Sequence, residues 1–168
     1  MDQVTIRTER TEMKFPLELI TPAMVVKAIH NEETIRYMDA VPTMTYSEED
    51  AAGFLDFLRA AKDSATELEL GIFDKATGRY IGMCTLENIS AEQGSCELGY
   101  WLDSAYTGRG CMTECASAVL SYAAEVLHMR TINAFVVTEH TKSIRLLERL
   151  GFTQKERLPN DTENKGEM

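Results

Sequence analysis

Tyr100-Trp101-Leu102-Asp103-Ser104-Ala105-Tyr106-Thr107-Gly108-Arg109-Gly110-Cys111-Met112-Thr113-Glu114-Cys115 is the stretch that decides the fold. It reads as the end of a strand, a short loop and the first turn of a helix. Just upstream, Cys96, Leu98, Tyr100 and Leu102 alternate with Glu97, Gly99 and Trp101, the period of two that marks an extended segment. Downstream, Met112, Cys115, Ala116, Val119, Leu120, Ala123, Val126 and Leu127 recur at helical spacing and predict an amphipathic helix over Gly110–Leu127. Between them stands Gly108-Arg109-Gly110. Two glycines at a helix start let the backbone approach a ligand and turn free N–H groups outward. Those donors and the helix dipole favour an anion, typically a phosphate, with Arg109 as a positive charge beside it. A lone Gly-x-Gly equally suits a plain strand-to-helix turn with a solvated arginine.

Upstream of that stretch, Met1–Ile20 is expected to hold one or two strands, with Phe15, Leu17 and Leu19 alternating in the second. Thr21-Pro22 signals a helix start through a capping hydroxyl and a proline that needs no N–H, and Val25, Val26 and Ile29 continue it. Asn31 is placed to cap a short helix carrying Ile35 and Met38. Ser47-Glu48-Glu49-Asp50 resembles a capping box and opens a helix with Ala51, Phe54, Leu55, Leu58 and Ala61 on one side. Leu68, Leu70 and Ile72 alternate with Glu67, Glu69 and Gly71 in a strand. A turn at Asp74–Arg79 returns the chain as the strand Tyr80–Glu87, and Asn88–Gly94 is a polar connection.

Downstream, Ile132, Ala134 and Val136 alternate in a strand over Thr131–Val137. Reached through a helical crossover, it is expected to lie parallel to Cys96–Leu102. Ile144, Leu147 and Leu150 form the apolar face of a last helix over Thr141–Leu150. Gly151 ends that helix, Phe152 starts a final strand, and Pro159–Met168 is a polar tail. These elements make a mixed sheet with helices on both faces.

The chain has 168 residues, enough for one domain with a core. A net charge of −10 argues against bulk nucleic-acid binding and is compatible with an amine or a basic peptide as partner. The four cysteines, Cys84, Cys96, Cys111 and Cys115, form no Cys-x-x-Cys pair and the three histidines are scattered, so no metal site is expected. Free thiols in apolar patterns and the lack of a signal peptide point to a cytoplasmic location, and no apolar run approaches membrane-spanning length.

Two local sequences, in this element order, resemble the GNAT superfamily of acyl-CoA-dependent N-acetyltransferases. The closer likeness is to the RimJ/RimL type, whose members acetylate N-termini of ribosomal proteins. Glu97-Leu98-Gly99-Tyr100-Trp101-Leu102 followed by Gly108-Arg109-Gly110-Cys111-Met112-Thr113-Glu114 is similar to the family's strand, pyrophosphate loop and Thr-Glu. Ser143-Ile144-Arg145-Leu146-Leu147-Glu148-Arg149-Leu150-Gly151-Phe152 is similar to its last helix and Gly-Phe exit. The likeness covers about residues 15–158 of what is expected to be a single domain over 1–168. It implies a central, mostly antiparallel sheet of six to seven strands in which two parallel strands splay apart.

Three positions depart from the family pattern. Thr107 stands where the loop usually has Gln or Arg. Met112 replaces a small residue and would narrow the approach. His140 replaces an Asn that contacts the pantetheine arm.

The resemblance implies acetyl-CoA as acyl donor and an amine, either a protein N-terminus or a small molecule, as acceptor. Cofactor contacts are then expected from Tyr100, Trp101, Leu102, Thr107, Gly108, Arg109, Gly110, Cys111, Met112, His140 and Ser143. A bulge near Tyr100–Leu102 would point an N–H at the thioester oxygen. Glu97 is the first candidate base, with a solvated strand carboxylate as its alternative. His140 is the second, because histidine titrates in the useful range, or else a polar helix cap. The tyrosine that many family members use as thiol acid is Leu147 here, and Ser143 is the candidate to hydrogen-bond the sulfur.

Glu114 reads as a first-turn carboxylate favoured by the dipole, and Trp101 as core. Acceptor selection is assigned to Asn31–Ser47 and Asn88–Gly94. The chain is expected to be a monomer or homodimer. A catalytically silent CoA-binding module is the alternative function. A dinucleotide-binding oxidoreductase is set aside, because Thr113 stands where that fingerprint has its third glycine.

Overall fold

The computed structural model describes residues 3–29, 32–38 and 45–155. Six strands form one sheet in chain order: β1 (Thr5–Arg7), β2 (Thr11–Lys14), β3 (Leu68–Asp74), β4 (Tyr80–Ser90), β5 (Ser95–Leu102) and β6 (Thr131–Asn133). Neighbours are antiparallel except β5 and β6. Those two run parallel because α4 (Cys111–Glu125) carries the chain back between them. The other helices are α1 (Pro22–Ile29), α2 (Glu32–Ile35), α3 (Glu48–Ala61) and α5 (Thr141–Arg149). This is the mixed α/β architecture that the residue patterns predict. Among the described residues no helix is long and apolar enough to cross a membrane.

Each face of the sheet buries its own apolar cluster. Met13, Leu70, Ile72, Ile81, Cys84, Leu86, Cys96 and Leu98 pack with Cys115, Ala116 and Val119 of α4 and Leu147 of α5. On the opposite face Phe73, Tyr80 and Met83 pack with Val25, Ala28 and Ile29 of α1, Ile35 of α2, and Ala51 and Leu58 of α3. The helix ends follow local chemistry. The Thr21 hydroxyl accepts from Met24 N–H at 3.3 Å beside Pro22. Ser47 and Asp50 complete a reciprocal capping box, at 3.1 Å from Asp50 N to Ser47 Oγ and 2.8 Å from Ser47 N to Asp50 Oδ2. Gly151, at φ +96°, ends α5, with Phe152 N–H reaching Leu147 O at 2.9 Å and Gly151 N–H reaching Glu148 O at 3.0 Å.

Several expected boundaries move. The second strand is Thr11–Lys14 and stops before Pro16, which has no N–H for the ladder; Phe15, Leu17 and Leu19 lie in the turn that follows. Strand β4 runs on to Ser90 through an irregularity at Asn88, whose φ is +48°. β5 pairs with β4 without interruption from Glu97 to Leu102, so the bulge expected near Tyr100–Leu102 is absent. β6 stops at Asn133 rather than Val137, because its ladder to β5 ends there. Val126 lies past the end of α4 and is exposed. Residues 152–155 form no strand, while Asn31 and the Pro159–Met168 tail lie outside the described residues.

β4 and β5 approach so closely that a Cβ on Gly82 would fall 2.3 Å from Trp101 O and 3.0 Å from Leu102 Cα. Backbone cannot yield as a side-chain tip does. Gly82→Ala is therefore expected to cost about 1–3 kcal/mol through overpacking, read as a lower urea midpoint; an unchanged midpoint would contradict the tight pairing.

Candidate active site

Strand β5 leads into a 3-10 turn at Ser104–Tyr106 and then the loop before α4. Asp103 fixes that exit. Its carboxylate accepts from Ala105 N–H at 3.0 Å and from Arg79 at 3.0 Å, while its own N–H reaches Ile81 O at 2.8 Å. Gly108 and Gly110 both have φ +76°, a region that favours glycine. Gly110 is the N-cap of α4 and supplies no side chain to the helix. The first-turn N–H groups of Cys111, Met112 and Thr113 donate to no described residue; the first donor satisfied is Glu114 N–H, to Gly110 O at 3.0 Å. No heavy atom lies within 4 Å of where a Cβ on Gly108 would sit, so the loop surface is open.

The β1–β2 turn braces this loop. Arg10 Nη1 donates to Arg109 O at 2.9 Å, and Arg10 Nε lies 3.3 Å from Glu114 Oε1. Glu114 Oε2 accepts from Arg10 N–H at 3.2 Å and from the Thr8 hydroxyl. Burial would raise the Glu114 carboxyl, but these donors hold it below the ordinary carboxylate value. Arg10 thus places a second cation beside Arg109, about a hundred residues away in sequence and without a periodic signal to announce it. The Thr107 hydroxyl is spent on Ser104 O at 2.8 Å. Cys111 and Met112 are buried in the core beneath α4, so the bulk of Met112 does not narrow the loop, contrary to expectation.

The second feature is a gap. The β5–β6 ladder consists of Ser95↔Thr131, Cys96↔Ile132 and Glu97↔Asn133 and then ends. Beyond Glu97, β5 runs on to Leu102 with one edge unpaired. On the α4–α5 side of that gap, the Tyr100 hydroxyl is hydrogen-bonded to Ser143 Oγ. Ser143 is 6% exposed, and burial raises the Tyr100 phenol above its ordinary value, so it stays a proton donor near neutrality. His140 is the N-cap residue of α5, yet its side chain makes no capping bond. Its ring instead stacks on Tyr37, with centroids 4.2 Å apart and planes at 10°. Burial, then Lys142, lowers its pKa and so favours the neutral imidazole. Leu102 is buried, and Trp101 packs edge-on to Tyr80 at 5.9 Å in the opposite cluster, which leaves mainly their backbone to the gap.

Glu97 lies on the other face of β5 from Tyr100 and Ser143, so the candidate base and the candidate thiol partner are on opposite sides of the strand. Around Glu97 the register gathers further carboxylates. Glu87 pairs with Glu97, and Glu69, Thr85 and Gly99 form the adjacent row. Glu69 alternates with Leu68 and Leu70, yet it too is only 6% exposed. Burial first, then Glu87 and Glu67, pushes its carboxyl up to about 8. Burial likewise raises Glu67.

A helix start with free N–H groups thus stands beside a gap between two parallel strands, the arrangement expected of an acyl-CoA-dependent transferase. Residues 18–153 match the acetyltransferase (GNAT) domain, and the chain belongs to that family and is an N-acetyltransferase. It is 30% identical over 162 residues to an uncharacterized N-acetyltransferase, p20, of Bacillus licheniformis, covering 95% of this chain and 87% of that one. It is 25% identical over 154 residues to the ribosomal protein uS5-alanine N-acetyltransferase of Escherichia coli, covering 83% of this chain and 79% of that one. Mycobacterium smegmatis RimJ, solved with a CoA-disulfide, shares the fold at a TM-score of 0.79 and 19% identity, over 98% of this chain and 82% of that one.

A carboxyl whose folded-state pKa is raised binds its proton more tightly native than unfolded, so stability falls as pH climbs from the ordinary carboxylate range to the folded value. Glu69→Gln is therefore expected to raise the thermal midpoint, with a gain over the parent chain that grows between about pH 5 and pH 8. A gain independent of pH, followed by thermal denaturation, would contradict the buried-carboxyl assignment.

Proposed function

We propose that this N-acetyltransferase moves an acetyl group from acetyl-CoA to a primary amine by direct attack in a ternary complex. The acceptor is a protein N-terminus or a small amine. The observation that carries the donor assignment is the run of unsatisfied N–H groups at the start of α4, flanked by Arg10 and Arg109. Gly108 and Gly110, Cβ-free and at positive φ, fit a diphosphate that approaches the backbone. Thr107, Cys111 and Met112 serve through backbone rather than side chain, and the freed edge of β5 at Tyr100–Leu102 borders the donor's arm.

When bound, acetyl-CoA supplies an electrophilic thioester carbonyl. Glu97, at the last paired position of β5, takes the proton that the attacking ammonium must lose, directly or through one water. Backbone N–H groups on the unpaired edge of β5 polarise the carbonyl oxygen, a contribution of about 2.7–4 kcal/mol in measured cases. As the C–N bond forms and the C–S bond breaks, the nitrogen gives up its second proton to water, the Ser143 hydroxyl gives a proton to the sulfur, and water at the gap returns one to Ser143 through the Tyr100 hydroxyl, so that one proton is released overall. His140, neutral and stacked on Tyr37, orients the α5 start at the donor's arm.

Gly110→Glu sets a carboxylate where the diphosphate is held and adds strain at φ +76°; CoA binding is expected to weaken by more than a hundredfold in a calorimetric titration. Unchanged affinity would remove the donor site from this loop. Ser143→Ala is expected to slow turnover by about a hundredfold or more with CoA affinity preserved, since general acid groups contribute on the order of 10²–10⁴. An unaltered rate would leave that serine a packing residue.

A further inference from the structure

The face of the sheet opposite α4 changes character abruptly. Gly71, Met83 and Trp101 form one cross-strand row, and Met83 and Trp101 lie in the apolar cluster under α1 and α3. The next row is Glu69, Thr85 and Gly99, and beyond it Glu87 pairs with Glu97, with Glu67 two residues before Glu69. Four carboxylates therefore share one face over about 7 Å along the strands and about 10 Å across them. Among the described residues none of the four is in an ion pair. Nor do they converge as the ligands of one metal ion would.

Glu69 is more than nine-tenths buried, makes no hydrogen bond to a described residue, and faces Glu67 and Glu87. Beside it the Tyr80 hydroxyl is fully buried without a hydrogen-bond partner among the described residues, close enough to feel the Glu69 charge. A fully buried hydroxyl without a partner, beside a largely buried carboxyl that makes no ion pair, is costly unless something pairs with them. Gly99 keeps the patch open, because a Cβ there would fall 2.7 Å from Thr85 Oγ1 and 3.1 Å from Glu87 Oε1. The Thr85 hydroxyl donates to Glu87 at 3.0 Å and so aims that carboxylate.

We propose that the acceptor is dicationic, its second ammonium group held at Glu69 and Glu87, with Glu67 adding negative charge nearby, while the reactive amine stands at Glu97. This rests on the acetyl-transfer mechanism above and names its substrate class. The patch spans the length of a short aliphatic diamine, or of a lysine side chain adjoining a peptide N-terminus. The distal ammonium keeps its three protons and stays charged. The proximal one loses a proton to Glu97 and, as the C–N bond forms and the C–S bond breaks, a second one to water, which balances the proton that the leaving thiolate takes from the Ser143–Tyr100 pair. A cation on Glu69 also draws that carboxyl into its charged form, which couples acceptor binding to proton release.

The test compares a four-carbon diamine with the monoamine of equal length, and an Ala-Lys-initiated peptide with an Ala-Ala one. Thiol release and the ligand-induced rise in thermal midpoint are both read. At least one dicationic acceptor is expected to exceed its monocationic counterpart by about tenfold or more in kcat/KM, and to raise the midpoint where the counterpart does not. The pair that shows the effect identifies the source of the second charge. Glu69→Gln and Glu87→Gln, both close in shape to the parent residues, are expected to raise KM for the dication about tenfold and leave the monocation within twofold. Equal handling of both members of each pair, or variants without effect on the dication, would overturn the second-cation site and leave acetyl transfer standing. No thiol release with any amine would overturn both.

Discussion

β5 is held to β6 by three residue pairings, Ser95↔Thr131, Cys96↔Ile132 and Glu97↔Asn133. A parallel pair normally gains by continuing, since every unpaired strand edge leaves backbone donors and acceptors unsatisfied. Here β5 continues for five residues past Glu97 while its neighbour leaves the ladder. The resulting gap lies between a strand whose other edge is fully paired to β4 and a helix, α5, that presents Ser143 toward it. α4 begins close by in sequence, with first-turn N–H groups that have no internal acceptor. In the proposed site a helix start serves one end of a long phosphate-tailed donor and a broken ladder serves the other.

The two faces of β5 divide the chemistry. Tyr100 and Ser143 stand on the α4–α5 side and keep neutral hydroxyl protons beside the gap. Glu97 stands on the other side among carboxylates. In the proposed mechanism an amine and a thioester that meet at the strand edge therefore approach from opposite faces, the proton leaving toward the acidic side and the sulfur being protonated from the hydroxyl side. The separation keeps the acid and the base of one step from neutralising each other directly. The acidic face costs stability in the absence of a cation, as expected of a site that invests burial in binding.

The sequence revealed the framework where periodicity was strong. The alternation of Cys96, Leu98, Tyr100 and Leu102 and the stripe along α4 located both strand and helix, and the capping chemistry of Ser47 and Asp50 survived intact. Boundaries failed where tertiary contacts overrode local pattern. Ile132, Ala134 and Val136 alternate as a strand should, yet the ladder ends at Asn133, because pairing depends on where β5 and α5 hold the chain. The alternation of Leu68, Leu70 and Ile72 with Glu67, Glu69 and Gly71 located the strand but carried no sign that Glu69 would be buried. Arg10 and Tyr37 were illegible for the same reason, since each reaches the site only through long-range contact, with Arg109 and His140 respectively. The glycine loop was legible as a strand-to-helix turn with outward N–H groups, but its bracing by Thr8 and Arg10 through Glu114 was not.

The most direct measurement is a crystal structure of the chain with acetyl-CoA bound. Diphosphate oxygens are expected about 2.7–3.2 Å from backbone nitrogens of the Gly108–Thr113 segment, with the acyl arm entering between β5 and the chain beyond Asn133. A diphosphate bound elsewhere, or an acyl arm excluded while β5 and the residues after Asn133 close into a continuous ladder, would contradict the account.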